Sequence, residues 1–156
     1  MNANDLFAAA PELMKKWSAA SLAVNASLES RLVHLVKVRA SQINACANCI
    51  NMHAQEARAN GETEQRIYLL SAWREAPCYT DRERAALAWT EALTRLSEGH
   101  ARDSAFETLQ AQFSEQEQVK LTLMINVING WNRIAVGFGV FNEPAGANPA
   151  AQAAAA

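Results

Sequence analysis

Two cysteines three residues apart, with a histidine four residues further on, make Cys46, Cys49 and His53 the constellation in this chain with the most evident chemistry. At about 100° per residue the two thiols fall roughly 60° apart around a helix, with His53 roughly 40° from Cys49 and 20° from Cys46. All three share one face. Residues i and i+3 on a helix lie ~5–6 Å apart, within the range a disulfide can close. Such a pair can cycle between dithiol and disulfide with little backbone movement. Thiolate is the nucleophile in both peroxide reduction and disulfide exchange.

The residues leave open which thiol is the nucleophile. Unpaired N–H groups and the positive end of the helix dipole favour a thiolate at Cys46, nearer the helix start. An imidazole one turn on, able to take or hold the thiol proton, favours Cys49. Three other readings compete. The cysteines could be two small core residues, and His53 a core histidine with its hydrogen bonds satisfied. A zinc ion could take Cys46, Cys49 and His53 with a fourth ligand from His34, Cys78 or His100. Zinc sites usually draw on two separated pairs, and the chain has no second pair.

The elements that must position these groups read as helices throughout. Gly and Pro fall between periodic segments, and β-branched alternation is absent. A first helix is expected from about Pro11 to Ala23. A second starts near Glu29 and is apolar round most of its circumference, through Leu32, Val33, Leu35, Val36, Val38 and Ala40. It should be central, with Arg31, His34, Lys37 and Ser41 as its polar, wet stripe. The third, near Asn44 to Gly61, turns Cys46, Cys49, Ile50, His53, Ala54 and Ala57 inward. Asn48, Asn51, Gln55 and Arg58 lie opposite. A fourth runs from about Thr63 to Glu75, before Pro77. Thr80 with Glu83, and Ser114 with Glu117, form capping boxes. The first opens a helix ending near Gly99; the second opens a long one reaching about Phe138. A short helix follows Asp103.

With 156 residues, half of them apolar and 19% charged, the chain has the composition of one globular domain. Residues 1–143 are assigned to it. The tail 144–156, PAGANPAAQAAAA, is low-complexity and expected to be disordered. Fourteen basic against sixteen acidic residues give a net charge of −2. That balance offers nothing to nucleic acid or an anionic membrane. No apolar run approaches a membrane span. Asp5 and Pro11 spoil the N-terminal stretch as an export signal, so a reducing, cytoplasmic location is expected. Three cysteines cannot all pair within one chain. In a reducing compartment a C-x-x-C is more often redox-active or metal-binding than structural.

The stretch Ser41–His53, SQINACANCINMH, resembles the alkyl hydroperoxidase D branch of the carboxymuconolactone decarboxylase superfamily. Its signature is S-Q-I-N, a small residue, C-x-x-C and a histidine four residues on. LSAWRE at 70–75, DRERAALAWTE at 81–91 and NGWNR at 129–133 agree with it. The likeness covers about residues 29–138. It implies an all-helical bundle that forms trimers or hexamers and reduces hydroperoxides through a thiol pair. By that resemblance Cys49 is peroxidatic, Cys46 is resolving, and His53 is the motif histidine. An external dithiol completes the cycle, with no metal or organic cofactor. Three positions depart from the pattern. His34 stands where the best-studied members carry a relay glutamate, Asn48 where they carry a histidine, and Ala45 where glycine is common. His34 is expected to act as base or shuttle in the carboxylate's place. Lactone decarboxylation in the superfamily uses no redox pair, so two retained cysteines argue against it.

The expected function is therefore a thiol-dependent peroxidase with Cys46, Cys49, His53 and His34 as its catalytic residues. A non-catalytic redox sensor or partner-binding helical oligomer is the alternative. Cys78 reads as a bystander thiol in a loop and His100 as a solvent-exposed loop residue. Trp73, Trp89 and Trp131 read as packing anchors, and Arg39 and Arg74 as ion-pair partners of glutamates.

Overall fold

A helix that is apolar round most of its circumference must be covered on several sides, and α3 (Ser30–Ile43) is. In the computed structural model, which describes residues 3–99 and 102–141, α3 packs on α4 (Ala47–Ala59), α6 (Asp81–Thr94) and α8 (Glu115–Phe138). The remaining helices are α1 (Ala3–Ala9), α2 (Pro11–Asn25), α5 (Glu64–Leu69) and α7 (Arg102–Gln112), with 3₁₀ turns at Leu70–Ala72 and Leu96–Glu98. The described residues contain no strand, and none of their helices is long and apolar enough to cross a membrane. The tail assigned to 144–156 and His100 lie outside the described residues.

Leu32, Val33 and Val36 of α3 meet Ala85, Ala86 and Trp89 of α6, Leu109 of α7 and Leu121, Met124 and Ile125 of α8 in the main core. A second cluster joins Leu35 and Val38 to Leu70, Trp73, Tyr79 and Leu87. Trp73 and Trp89 are buried anchors, as their spacing implies. Trp131 is half-buried and packs on Trp17 with ring centroids 6.0 Å apart. That contact needs Gly130, where a Cβ would come within 2.6 Å of the Trp17 ring. Thr80–Glu83 and Ser114–Glu117 form both expected capping boxes.

Five expectations are corrected. A helix, α1, precedes Pro11, and the helix after Thr63 ends at Leu69 in a 3₁₀ turn rather than reaching Glu75. The stripe on α3 is not wet. Arg31 is exposed, but His34, Lys37 and Ser41 are buried because α4 and α8 close over them. Asn48, expected to face outward, is buried too. Lastly, α4 starts at Ala47 rather than near Asn44, so Cys46 is its N-cap and stands outside the helix.

Candidate active site

That last correction has a local cause. After Asn44 the chain takes a left-handed residue, Ala45 at φ 51°. Ala45 N–H donates to the Gln42 carbonyl at 3.2 Å and Cys46 N–H to the Ser41 carbonyl at 3.0 Å. This paired pattern is the Schellman end of a helix, whose left-handed position is usually glycine. It explains the glycine common before the first cysteine in the resembling branch. One turn thus ends α3 and delivers Cys46 directly to the start of α4.

Asparagines brace that turn against α8. Asn44 Nδ2 donates to Asn129 Oδ1 at 2.9 Å and to Asn132 Oδ1 at 2.8 Å. Asn132 Nδ2 donates to Ser41 Oγ at 3.0 Å, and Ser41 Oγ to the Lys37 carbonyl at 2.7 Å. The Ser and Asn of S-Q-I-N and the two asparagines of N-G-W-N are thus a single buried network, which sequence spacing within either motif does not disclose.

Cys46 and Cys49 are both free thiols, 1% and 2% exposed, packed with Ala40, Ile128 and Ala135. Burial, followed by the hydrogen bond to Cys46, pushes the Cys49 thiol up to about 12, while Asn132 and Asn48 act in the opposite direction. Cys49 therefore rests as the protonated thiol. A cavity of about 330 Å³ opens on one side of it. Cys49, Asn48, His53, Glu56 and Lys37 line the cavity, with an apolar wall that includes Met52, Ile128, Trp131 and Ala135. Leu6 and Phe7 of α1 contribute to the same wall. Cys46 lies behind Cys49 and is not part of the lining.

His53 is buried, and its Nδ1 lies 2.8 Å from Glu56 Oε2. The His53 hydrogen bond, opposed by burial, holds the Glu56 carboxyl below its ordinary range. A carboxylate can only accept, so Nδ1 carries the proton and Nε2 of a neutral ring is left as acceptor. Glu56 escaped the sequence reading. The available signal was its place three residues after His53, on the same face of one helix.

His34 is also close to this group but does not line the cavity. Its Nε2 lies 3.3 Å from Ser30 Oγ, and its Nδ1 is buried with no hydrogen-bond partner among the described residues. Burial and then the Lys37 charge lower its pKa, against the pull of Glu56. The structure thus brings Cys46, Cys49 and His53 together, with His34 a layer further back. No group of three or more His, Cys, Asp or Glu side chains among the described residues is placed to hold a metal ion. Cys78 is a half-buried free thiol in the loop before α6.

Comparison with known proteins agrees with the all-helical fold. The sequence pattern of the carboxymuconolactone decarboxylase family matches residues 11–92, more than half of the chain. Protein YdfG of Bacillus subtilis is 45% identical over 105 residues, 67% of this chain and 71% of its own. The crystal structure of ATU0492 from Agrobacterium tumefaciens, a protein of unknown function put forward as an AhpD antioxidant defence protein, superposes with a TM-score of 0.84. It is 51% identical and covers 89% of this chain and 95% of its own. The crystal structure of the debrominase Bmp8 shares the fold, with a TM-score of 0.78 at 20% identity over 86% of this chain and 73% of that one.

Proposed function

Since this chain belongs to the carboxymuconolactone decarboxylase family, in its alkyl hydroperoxidase D-like branch, we propose that it is a thiol-dependent peroxidase reducing hydroperoxides through Cys46 and Cys49. One observation carries the reading. Cys49 and His53 line a common cavity, with Cys46 hydrogen-bonded to Cys49 from behind.

The cysteine nearer the substrate is the one that attacks. His53 Nε2 removes the Cys49 proton, which the buried thiol holds too tightly to release to water at neutral pH. The thiolate sulfur takes the terminal oxygen of the hydroperoxide as the O–O bond breaks. Cys49 becomes a sulfenic acid, and the alkoxide leaves as an alcohol with the proton from His53. Cys46 sulfur then attacks Cys49 sulfur, forming the disulfide and releasing water. An external dithiol supplies two electrons and two protons to restore the pair. Glu56 is a positioning residue that fixes the His53 tautomer. His34 is the second proton shuttle, acting through Glu56 and His53 rather than on substrate.

A cytoplasmic homo-oligomer, trimer or hexamer, completes the reading. Exposed Leu13 and Leu22 on α2 and Val119 and Leu123 on α8 support self-association. The deciding experiment is turnover of several hydroperoxides with an added dithiol. Sustained consumption is expected with the reduced protein. No consumption of any hydroperoxide would remove the peroxidase reading and leave a redox sensor or binding oligomer.

A further inference from the structure

The cavity holds one charged group the peroxidase chemistry does not use. Lys37 lines it from α3 and is 8% exposed, and its ammonium makes no hydrogen bond and no ion pair within 4.0 Å among the described residues. Buried lysines are rare unless paired, because an uncompensated buried ammonium is costly. The nearest acidic influence on Lys37 is Glu56, whose Oε2 is already held by His53. Burial lowers the Lys37 pKa, as expected for an ammonium with no close counter-charge. Elsewhere the cavity wall is mostly hydrocarbon, with Phe7, Met52, Val127, Trp131 and Val140 among its members. Its volume is at the small end of ligand cavities, which run ~300–1,000 Å³.

An apolar cavity with one unpaired cation is matched by an amphipathic monoanion. A phosphate head would call for more donors than a single ammonium offers. We propose that the cavity takes a hydroperoxide with an apolar body and a carboxylate, the carboxylate seated on the Lys37 ammonium and the O–O bond at Cys49. This rests on the peroxidase reading for the reacting group, but the anchor itself can be measured without turnover.

The probes are octanoate and 1-octanol, matched in chain and differing in charge. They are titrated into the reduced protein by calorimetry, with tryptophan fluorescence, to which Trp131 of the cavity wall contributes, as a second readout. Octanoate should bind about tenfold more tightly, the worth of a charge-assisted over a neutral hydrogen bond. Lys37→Met, close in length and free of charge, should bring the ratio near one, and Lys37→Arg should restore it. Circular dichroism establishes that each variant is folded, and the arginine variant preserves the test if the methionine variant is not. A ratio near one in the parent, failure of both probes to bind, or an unchanged ratio in Lys37→Met overturns the anchor. Kinetics separate the two ideas. The ratio of kcat/KM between a fatty-acid hydroperoxide and its methyl ester should follow the binding ratio. Acid and ester consumed alike would overturn the anchor and leave the peroxidase. Selective octanoate binding with no hydroperoxide consumed would do the reverse.

Discussion

Two buried polar regions flank α3, and they are built to opposite rules. On the α6 side, Glu91 receives Arg39 Nε and Trp73 Nε1 on Oε1, both at 2.8 Å, and Arg74 Nη2 on Oε2 at 2.7 Å. Both carboxylate oxygens are filled. On the α4 side, among the described residues, His34 Nδ1 has no partner and the Lys37 ammonium has no ion pair, and Cys49 is pushed to about 12. Buried polar groups are nearly always satisfied, so exceptions beside a cavity are where the proposed exchange of protons and ligands would take place. The Glu91 region is a closed network within the fold, and the dithiol region is left partly open.

The contrast would break most completely at the cysteines. Cys49→Ser should abolish hydroperoxide consumption. Cys46→Ser should allow one stoichiometric oxidation to the sulfenic acid and no sustained turnover, read by mass spectrometry and a dithiol-coupled assay. If Cys46→Ser is the dead variant, the lining of the cavity misidentifies the nucleophile. In the resting dithiol, alkylation of Cys49 should keep accelerating well above the ordinary thiol value of 9.0, because burial holds its proton.

The next effect is at the imidazole. His53→Ala should lower kcat/KM by ~100- to 10,000-fold, the usual worth of general acid–base catalysis, with the helical signal unchanged. Glu56→Gln keeps an acceptor for Nδ1 but loses the charge. It should cost about tenfold, a charge-assisted hydrogen bond made neutral. Equal losses in the two variants would mean that Glu56 does more than orient His53.

Glu91 tests the other side. Glu91→Ala leaves Arg39 buried without its carboxylate and should cost about 3–5 kcal/mol of stability. Burial raises the Glu91 pKa, but Trp73, Arg39 and Arg74 together bring it below its ordinary value of 4.5. The parent's advantage should therefore be full above that value and fade as pH falls below it, visible in denaturant melts at two pH values. A pH-independent deficit would show that packing, not the ion pairs, holds this region.

Local signals were legible and long-range ones were not. Thr80 with Glu83 and Ser114 with Glu117 announced their helix starts because a capping box is complete within four residues. Cys46, Cys49 and His53 share a short segment, so their proximity could be read from spacing. The sequence also made α3 central. It could not tell that α4 and α8 would cover His34, Lys37 and Ser41, since polarity on one helix does not reveal what packs on it. Asn129 and Asn132 reach the cysteine turn across more than eighty residues, beyond any local pattern. Glu56 lies within the cysteine helix, but a glutamate three residues after a histidine is equally common on a solvated helix face, so its spacing alone does not mark it.

The smallest effect separates strain from function at the cysteine turn itself. Three helices end in the same paired pattern of hydrogen bonds, with Ala45, Gly61 and Gly139 at the left-handed position. Two use glycine, and only α3 carries a side chain there, at φ 51°. A left-handed alanine costs roughly 1–2 kcal/mol, and glycine gives back about half of that through its freer unfolded chain. Ala45→Gly should therefore stabilise the protein by about 0.5–1 kcal/mol, a rise of roughly 1–4 °C in Tm. Gly61→Ala, the mirror change at the end of α4, should destabilise by a similar amount. If Ala45→Gly gains stability and leaves dithiol turnover untouched, the alanine is strain that the brace of Asn44, Asn129 and Asn132 tolerates. If it gains stability but slows disulfide formation, the Cβ of Ala45 is part of what holds Cys46 against Cys49, and the strain belongs to the dithiol region's function.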